Sequence, residues 1–280
     1  MQTVAIVGVG LIGASFGLAL RKSGFRGEII GVSSANAIAG GLACGAISGS
    51  ASLLEAAQRA DLIYLSQPVD RILQTIPQLA SLLRPGTLVT DAGSTKQQIV
   101  NCALAHLPAG SFLGGHPVAG KEQRGPEAAD AELFRHRPYV FTPAGTHVPQ
   151  ADALRQAVHD FGCTVVDMSP QEHDATVALT SHLAQLASTA LAATLQRSGN
   201  AHVTRIFGNG LLDMTRLALS SPDLWSSILA TNKTEVSNAI DAYTEVLQEL
   251  KHSLGEREMD YTFAAGEAFS RSIRKLPLTK

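Results

Sequence analysis

Three short stretches of this 280-residue chain hold residue types whose spacing suits chemistry. Gly8-Val9-Gly10-Leu11-Ile12-Gly13 is a G-x-G-x-x-G turn, the spacing that lets backbone approach a pyrophosphate. Gly8 permits the tight turn, Gly10 the close approach, and Gly13 the packing of a helix on a strand. Leu11 and Ile12 complete the turn, and the helix that follows presents its free N–H groups and positive dipole end to phosphate. In the second stretch, Asp91-Ala92-Gly93-Ser94, the Ser94 hydroxyl has two readings: an N-cap for the next helix, or a group beside a bound nicotinamide and its substrate. The third is Gly114-Gly115-His116-Pro117. Glycines and a proline fix the backbone around an imidazole, and a neutral histidine with a pKa near ~6.5 suits general-base work. The plainer reading of His116 is an ordinary polar residue at a strand end.

The elements that must position these groups follow from local pattern. Thr3–Val7 is a β-branched strand, Ala14–Leu20 a helix ended by Gly24, and Glu28–Val32 a second strand. Ser33 and Ser34 end that strand, where an acidic residue would bind the ribose 2′-hydroxyl of NAD. A serine does not repel a 2′-phosphate, so Ser33 leans the cofactor to NADP while tolerating NAD. A strand over Asp61–Ser66 is broken by Gln67-Pro68. A helix over Val69–Leu83, a strand over Leu88–Asp91, and strands near Phe112, Tyr139–Thr142 and Cys163–Asp167 follow. This alternation predicts an α/β fold with a Rossmann-type, doubly wound, mostly parallel sheet. Ligands bind such sheets at the carboxyl ends of the strands, so Gly8, Ser33, Ser34, Ser66, Pro68, Gly93 and Ser94 should line one crevice.

Texture changes at Ser169-Pro170-Gln171-Glu172, a capping box with proline at the first helical position. The rest reads as all-helical: Pro170–Ser198, Ala201–Leu219, a short helix capped by Ser221-Pro222-Asp223, Asn232–Leu254, and a tail from Glu256. The expected organisation is a nucleotide-binding domain over 1–168 and a helical domain over 169–280. The apolar content after Ala201 (Ile206, Leu211, Leu217, Ile228, Leu229, Val236, Ile240, Val246, Leu247) exceeds what one small bundle buries. It predicts pairing with a second copy.

Composition narrows the classes further. Charged residues make up 16% and apolar residues 45%, which fits a well-buried globule. A net charge of −2 argues against a general nucleic-acid surface. Cys44, Cys102 and Cys163 are widely spaced, which predicts buried free thiols. The nine histidines form no metal-ligand spacing, so no metal is expected. The uncharged run of residues 1–20 lacks a basic start, and its glycine spacing fits the nucleotide turn better than a signal peptide or membrane span. A cytoplasmic protein with no membrane association is expected.

Taken together, Gly8–Ser15 (GVGLIGAS), Asp91–Lys96 (DAGSTK), Gly114–Gly125 (GGHPVAGKEQRG), Thr180–Leu183 (TSHL) and Asp213–Trp225 (DMTRLALSSPDLW) resemble the prephenate and arogenate dehydrogenases of tyrosine biosynthesis. The resemblance implies oxidative decarboxylation of a cyclohexadienyl substrate by hydride transfer to NAD or NADP, and a dimer through the helical region. By it His116 accepts the proton of the substrate's ring hydroxyl, and Ser94 bonds that hydroxyl. Arg216 clamps a carboxylate, and His182 is a second active-site histidine. Lys121 stands where many members have threonine; it reads either as a contact to the substrate's side-chain carboxylate or as a solvated lysine. Two rivals remain open on sequence: another NADP-dependent β-hydroxyacid dehydrogenase or imine reductase, and a non-catalytic NADP-sensing module. The former often carries a lysine or aspartate on the first long helix. The latter needs no His116, Ser94 and Arg216 together.

Overall fold

The computed structural model describes residues 1–145 and 148–275. The first compact unit comprises Met1–Asp174 together with Asp223–Thr231. It is an eight-stranded sheet in the order β3-β2-β1-β4-β5-β6-β7-β8. The strands are β1 (Thr3–Val7), β2 (Glu28–Val32), β3 (Gly49–Ser50), β4 (Leu62–Leu65), β5 (Leu88–Asp91), β6 (Phe112–Pro117), β7 (Pro138–Pro143) and β8 (Thr164–Asp167). All neighbours pair in parallel except β6 and β7, whose antiparallel ladder sets His116 opposite Val140. The strand order reverses beside β1, which opens the crevice at the carboxyl ends of β1 and β4.

Helices α1 (Leu11–Lys22), α2 (Ala35–Ala43), α3 (Leu53–Arg59), α4 (Val69–Leu79), α5 (Gln97–His106) and α6 (Pro149–Asp160) connect the strands. Strands β1 and β4 are buried on both faces, as the continuous apolar runs require. One face packs Phe16 of α1 flat on Tyr64 of β4, with ring centroids 3.9 Å apart. The other packs Ile72 and Ile76 of α4 against Ile63 and Val89.

Helix α7 (Pro170–Val177) opens with the expected capping box: the Glu172 N–H donates to Ser169 Oγ at 3.2 Å, and the Ser169 N–H donates back to Glu172 at 2.9 Å. The long helix expected over Pro170–Ser198 is interrupted by a π turn at Ala178–His182 before α8 (Leu183–Arg197). The helix expected over Ala201–Leu219 is not continuous. The Asn200 side chain takes the N–H of His202 at 2.9 Å, an alternative to helical pairing. Gly208 is extended, so only α9 (Asn209–Thr215) and a 3₁₀ turn (Arg216–Leu219) form. Helix α10 (Pro222–Thr231) places Trp225 and Ile228 in the core of the first unit.

The second unit holds Ala175–Pro222 and the chain from Asn232 onward, including α11 (Lys233–His252) and α12 (Glu258–Arg274). Residues 276–280, the end of the expected helical domain, lie outside the described residues. Within this unit α8 packs on α9 and on the 3₁₀ turn, and α11 packs on the π turn. Gln185 fixes the 3₁₀ turn by donating to the Leu217 carbonyl at 2.8 Å.

The cysteines are free, but the expected burial is absent: Cys44 ends α2 at the surface, and Cys102 and Cys163 are half-buried. Among the described residues, no helix is long and apolar enough to cross a membrane. No group of three or more His, Cys, Asp or Glu side chains among them is arranged to hold a metal ion.

Candidate active site

The turn after β1 is shaped by contact as well as by sequence. Gly8 has φ +98°, which side chains rarely adopt, and any Cβ there would come within 2.9 Å of the Ser66–Gln67 backbone. A Cβ on Gly13 would lie 2.2 Å from the Gly8 carbonyl oxygen. Ser66 fixes the same carbonyl by donating its hydroxyl at 2.8 Å. Gly10, by contrast, faces open space. It begins α1 without a side-chain cap, and the first turn of that helix holds no acid.

Uncapped N–H groups, an open glycine and no carboxylate are what a pyrophosphate needs. A cleft of about 730 Å³ borders the turn, lined by Gly8, Gly10, Ser33, Ser34, Ser66, Pro68 and Arg71 among others. The residues therefore fit a dinucleotide. Leu11, Ile12, Gly13 and Gly93 do not line this cleft. Gly93 is buried, with its N–H on Asp91 at 2.8 Å. Ser34 caps α2. Arg71, from the first turn of α4, faces the Ser33 cleft although it lies far from it in sequence.

The carboxyl end of β5 carries a buried ion pair. Lys96 and Asp91 are both fully buried and joined through Nζ and Oδ2. Asp91 also accepts the N–H of Gly93, and that of Gly115 at 3.1 Å, so it ties β5 to β6 one residue before His116. Burial pulls Lys96 below the ordinary ammonium pKa, and the charges of Asp91 and Asp174 oppose that shift.

Ser94 does not cap the following helix. Helix α5 begins at Gln97, and its first N–H groups go to Asp174: Lys96 donates to Oδ1 at 2.6 Å and Gln97 to Oδ2 at 2.9 Å. A carboxylate reaching in from α7 has taken the cap, and Ser94 is left half-buried. Thr95 beside it is fixed by Thr231, the last residue of α10, with hydroxyl oxygens 2.8 Å apart.

His116 is the penultimate residue of β6 and half-buried, at the strand end where the sequence places it. Its Nδ1 lies 2.8 Å from Nε2 of His173, and Nδ1 of His173 lies 2.7 Å from Oδ1 of Asp174. His173 and Asp174 are buried. Burial lowers the pKa of His173, and the Asp174 hydrogen bond counters it. His173 and Asp174 adjoin the Ser169–Glu172 capping box and have no motif spacing of their own. The run Gln171-Glu172-His173-Asp174 is polar throughout, so no contrast in the sequence sets these two apart.

Lys121 is exposed and forms an ion pair with Asp130 at 2.8 Å. His182 and Arg216 belong to the second unit. His182 ends the π turn, is 1% exposed, and lies 3.4 Å from the side-chain amide of Asn232. π turns recur at functional positions in helices. Arg216 opens the 3₁₀ turn at the surface. The structure thus brings together Gly8, Gly10, Ser33, Ser34, Ser66 and Pro68 at one cleft, and His116 with His173 and Asp174 at the end of β6.

Residues 16–167 match the family model described as the nucleotide-binding domain of prephenate dehydrogenase, and residues 169–266 match its dimerization domain. The chain is 32% identical over 270 residues to the prephenate dehydrogenase of Bacillus subtilis, covering 94% of this chain and 72% of that protein. It superposes with a TM-score of 0.90 and 31% identity on the prephenate dehydrogenase of A. aeolicus in complex with hydroxyphenyl propionate and NAD+, covering 98% of each chain. On Synechocystis arogenate dehydrogenase the TM-score is 0.83 at 26% identity, covering 97% of this chain and 99% of that one.

Proposed function

The chain belongs to the prephenate dehydrogenase family, and from that footing we propose that it oxidatively decarboxylates prephenate or arogenate, using NAD or NADP with a preference for NADP. The observation that carries the reading is the placement of His116. It lies at the carboxyl end of β6, along the same sheet edge as the dinucleotide turn at the end of β1.

When bound, the nicotinamide accepts the hydride. His116 removes the proton of the substrate's ring hydroxyl as that hydride departs from the carbinol carbon, and the Ser94 hydroxyl orients the same oxygen. The ring carboxylate then leaves as carbon dioxide, and its bonding electrons aromatise the ring to a 4-hydroxyphenyl product. Aromatisation supplies the driving force, so the chain's work is to orient the substrate and to take one proton. Arg216, with a planar fork that matches a carboxylate, and His182 are assigned to substrate binding. Lys121 serves a substrate carboxylate only by exchanging it for Asp130.

Preference for NADP is supported by Ser33, which leaves no carboxylate to repel a 2′-phosphate, and by Arg71, which lines the same cleft. The NAD+ bound by the A. aeolicus relative favours the other cofactor. A homodimer is supported by the dimerization-domain match and by the apolar surface of the second unit. Among the described residues, its buried apolar side chains are Val177, Ala178, Val236 and Ala239. Ile206, Leu219, Tyr261, Phe263 and Phe269 are each at least 65% exposed, a surface that asks for cover. Light scattering should return about twice the 29.4 kDa chain mass.

The experiment that tests the reading is a rate assay of prephenate and arogenate, each with NAD and with NADP. Turnover in any combination supports the reaction, and the fastest identifies substrate and cofactor. Cofactor binding with no turnover in all four would reject it in favour of a related reductase or a sensing module.

A further inference from the structure

The contacts of His116 fix which of its nitrogens can be basic. Asp174 already accepts two backbone N–H groups, from Lys96 and Gln97. A carboxylate held this way acts on Nδ1 of His173 as an acceptor, so His173 carries its proton on Nδ1. Its Nε2 is then a bare lone pair, and across 2.8 Å it accepts from Nδ1–H of His116. The unprotonated nitrogen of His116 is left as Nε2.

Resting on the assignment of His116 as the base, we propose that His173, anchored by Asp174, is a positioning residue that sets the tautomer of His116 and steadies the imidazolium formed when the substrate's proton arrives. The proton enters at Nε2 of His116. The resulting positive charge is met, through Nδ1–H, by the His173 lone pair and the Asp174 carboxylate behind it. No atom other than this proton changes partner. The alternative is that His173 is a core histidine satisfied by Asp174 alone.

The surroundings suit this role. His173 is fully shielded from solvent, and burial lowers its pKa so that it remains a neutral acceptor at neutral pH. Lys96 faces it with a positive charge and works in the same direction, while Asp174 and Asp91 oppose. The two imidazoles meet at 69° with centroids 5.0 Å apart, an edge-on approach that aims one ring nitrogen at the other. Asp174 is held rigidly because it also closes the N-terminus of α5. Pinning a base through a buried histidine and carboxylate follows the logic of an aspartate fixing a catalytic histidine, where the wrong tautomer costs several orders of magnitude in rate.

Two measurements test the proposal. In the first, nitrogen NMR of the ¹⁵N-imidazole-labelled, full-length protein, with H116Q identifying the His116 signals by their loss, should show a protonated Nδ1 and a bare Nε2 on His116. The opposite tautomer overturns the proposal. This result is independent of any substrate, so it stands even if the assigned reaction fails.

The second compares H173L with H173Q in steady-state rates across pH. H173L should lose about 10- to 100-fold in kcat with little change in KM. The acid limb of its kcat/KM profile should move to lower pH, because the His116 imidazolium has lost its partner. H173Q, whose side-chain oxygen can still accept from His116, should recover most of kcat. Wild-type kcat and an unmoved limb in H173L would overturn the proposal. If H173L does not fold, the tautomer measured on the wild type decides.

Discussion

Asp174 closes a helix that begins 77 residues earlier in the chain, its Oδ2 accepting the N–H of Gln97 at 2.9 Å. Its other oxygen takes the N–H of Lys96 and faces His173. One carboxylate thus joins the start of α5 to the turn of α7 that carries His173. D174A leaves these donors buried without a partner and is expected to cost about 1–3 kcal/mol of stability. D174N, with one amide oxygen still accepting, should cost less. Urea unfolding of the two variants checks the order.

The Lys96–Asp91 pair should behave as a buried pair broken on one side. K96M and D91N each strand a charge or leave a hydrogen-bonding group unpaired, and each should destabilise the fold by about 3–5 kcal/mol. K96M combined with D91N should recover much of that loss, since no buried charge remains and the amide oxygen can still accept a backbone N–H from Gly93 or Gly115. Melting temperatures of the three variants measure this. Equal stability of single and double variants would contradict it.

Stability should also follow His173 with pH. Its folded pKa lies below the ordinary value, so the unfolded chain binds its proton first as pH falls. The contribution is fully present above about pH 6.5 and is lost as pH falls below that value toward the folded pKa. The slope from this group is at most about 1.4 kcal/mol per pH unit. Unfolding free energies measured between pH 7.5 and pH 5.5, roughly one unit to either side of the ordinary histidine pKa, should fall in the wild type and fall less in H173Q.

Cofactor choice should respond to two side chains on one cleft. S33D introduces a carboxylate where a 2′-phosphate would lie and should weaken NADP at least about tenfold while sparing NAD. R71A should weaken NADP more than NAD. Fluorescence titration of the reduced cofactors reads both constants, and equal losses for the two cofactors would remove Arg71 from the specificity argument.

His116 and Arg216 should separate by kinetic signature. H116A is expected to lose about 10²- to 10⁴-fold in kcat with cofactor affinity kept. R216A is expected to lose about 2–5 kcal/mol in kcat/KM, the usual cost of truncating one side of a charged pair. Near-normal turnover in H116A would reject it as the base.

The elements that position the cofactor were readable because their signals are local. The ends of β1, β2 and β5 coincide with the residues expected from β-branched runs and glycine punctuation. The glycine turn and the Ser169–Glu172 box were equally local. What escaped was set by distant partners. Ser94 has the residue type of a cap, yet Asp174 supplies the cap from α7. Nothing in the spacing of His116 announces His173. Trp225 and Ile228 of α10 complete an apolar layer built mostly by residues before 110. The stretch after Asn200 shows the reverse case, in which a side chain next to the backbone outcompeted helical pairing over apolar residues that read as helix.

The hydroxyl of Ser66 on the Gly8 carbonyl has a consequence for binding thermodynamics. That bond, with the tight contact of Gly13 on the same oxygen, shapes the turn with protein atoms alone. The loop is preorganised, so an arriving dinucleotide finds its amide cradle assembled and immobilises little new backbone. Affinity lost to ordering in flexible phosphate loops is here retained. Calorimetry of cofactor binding to S66A should therefore show a larger unfavourable entropy than the wild type, with the enthalpy nearly unchanged.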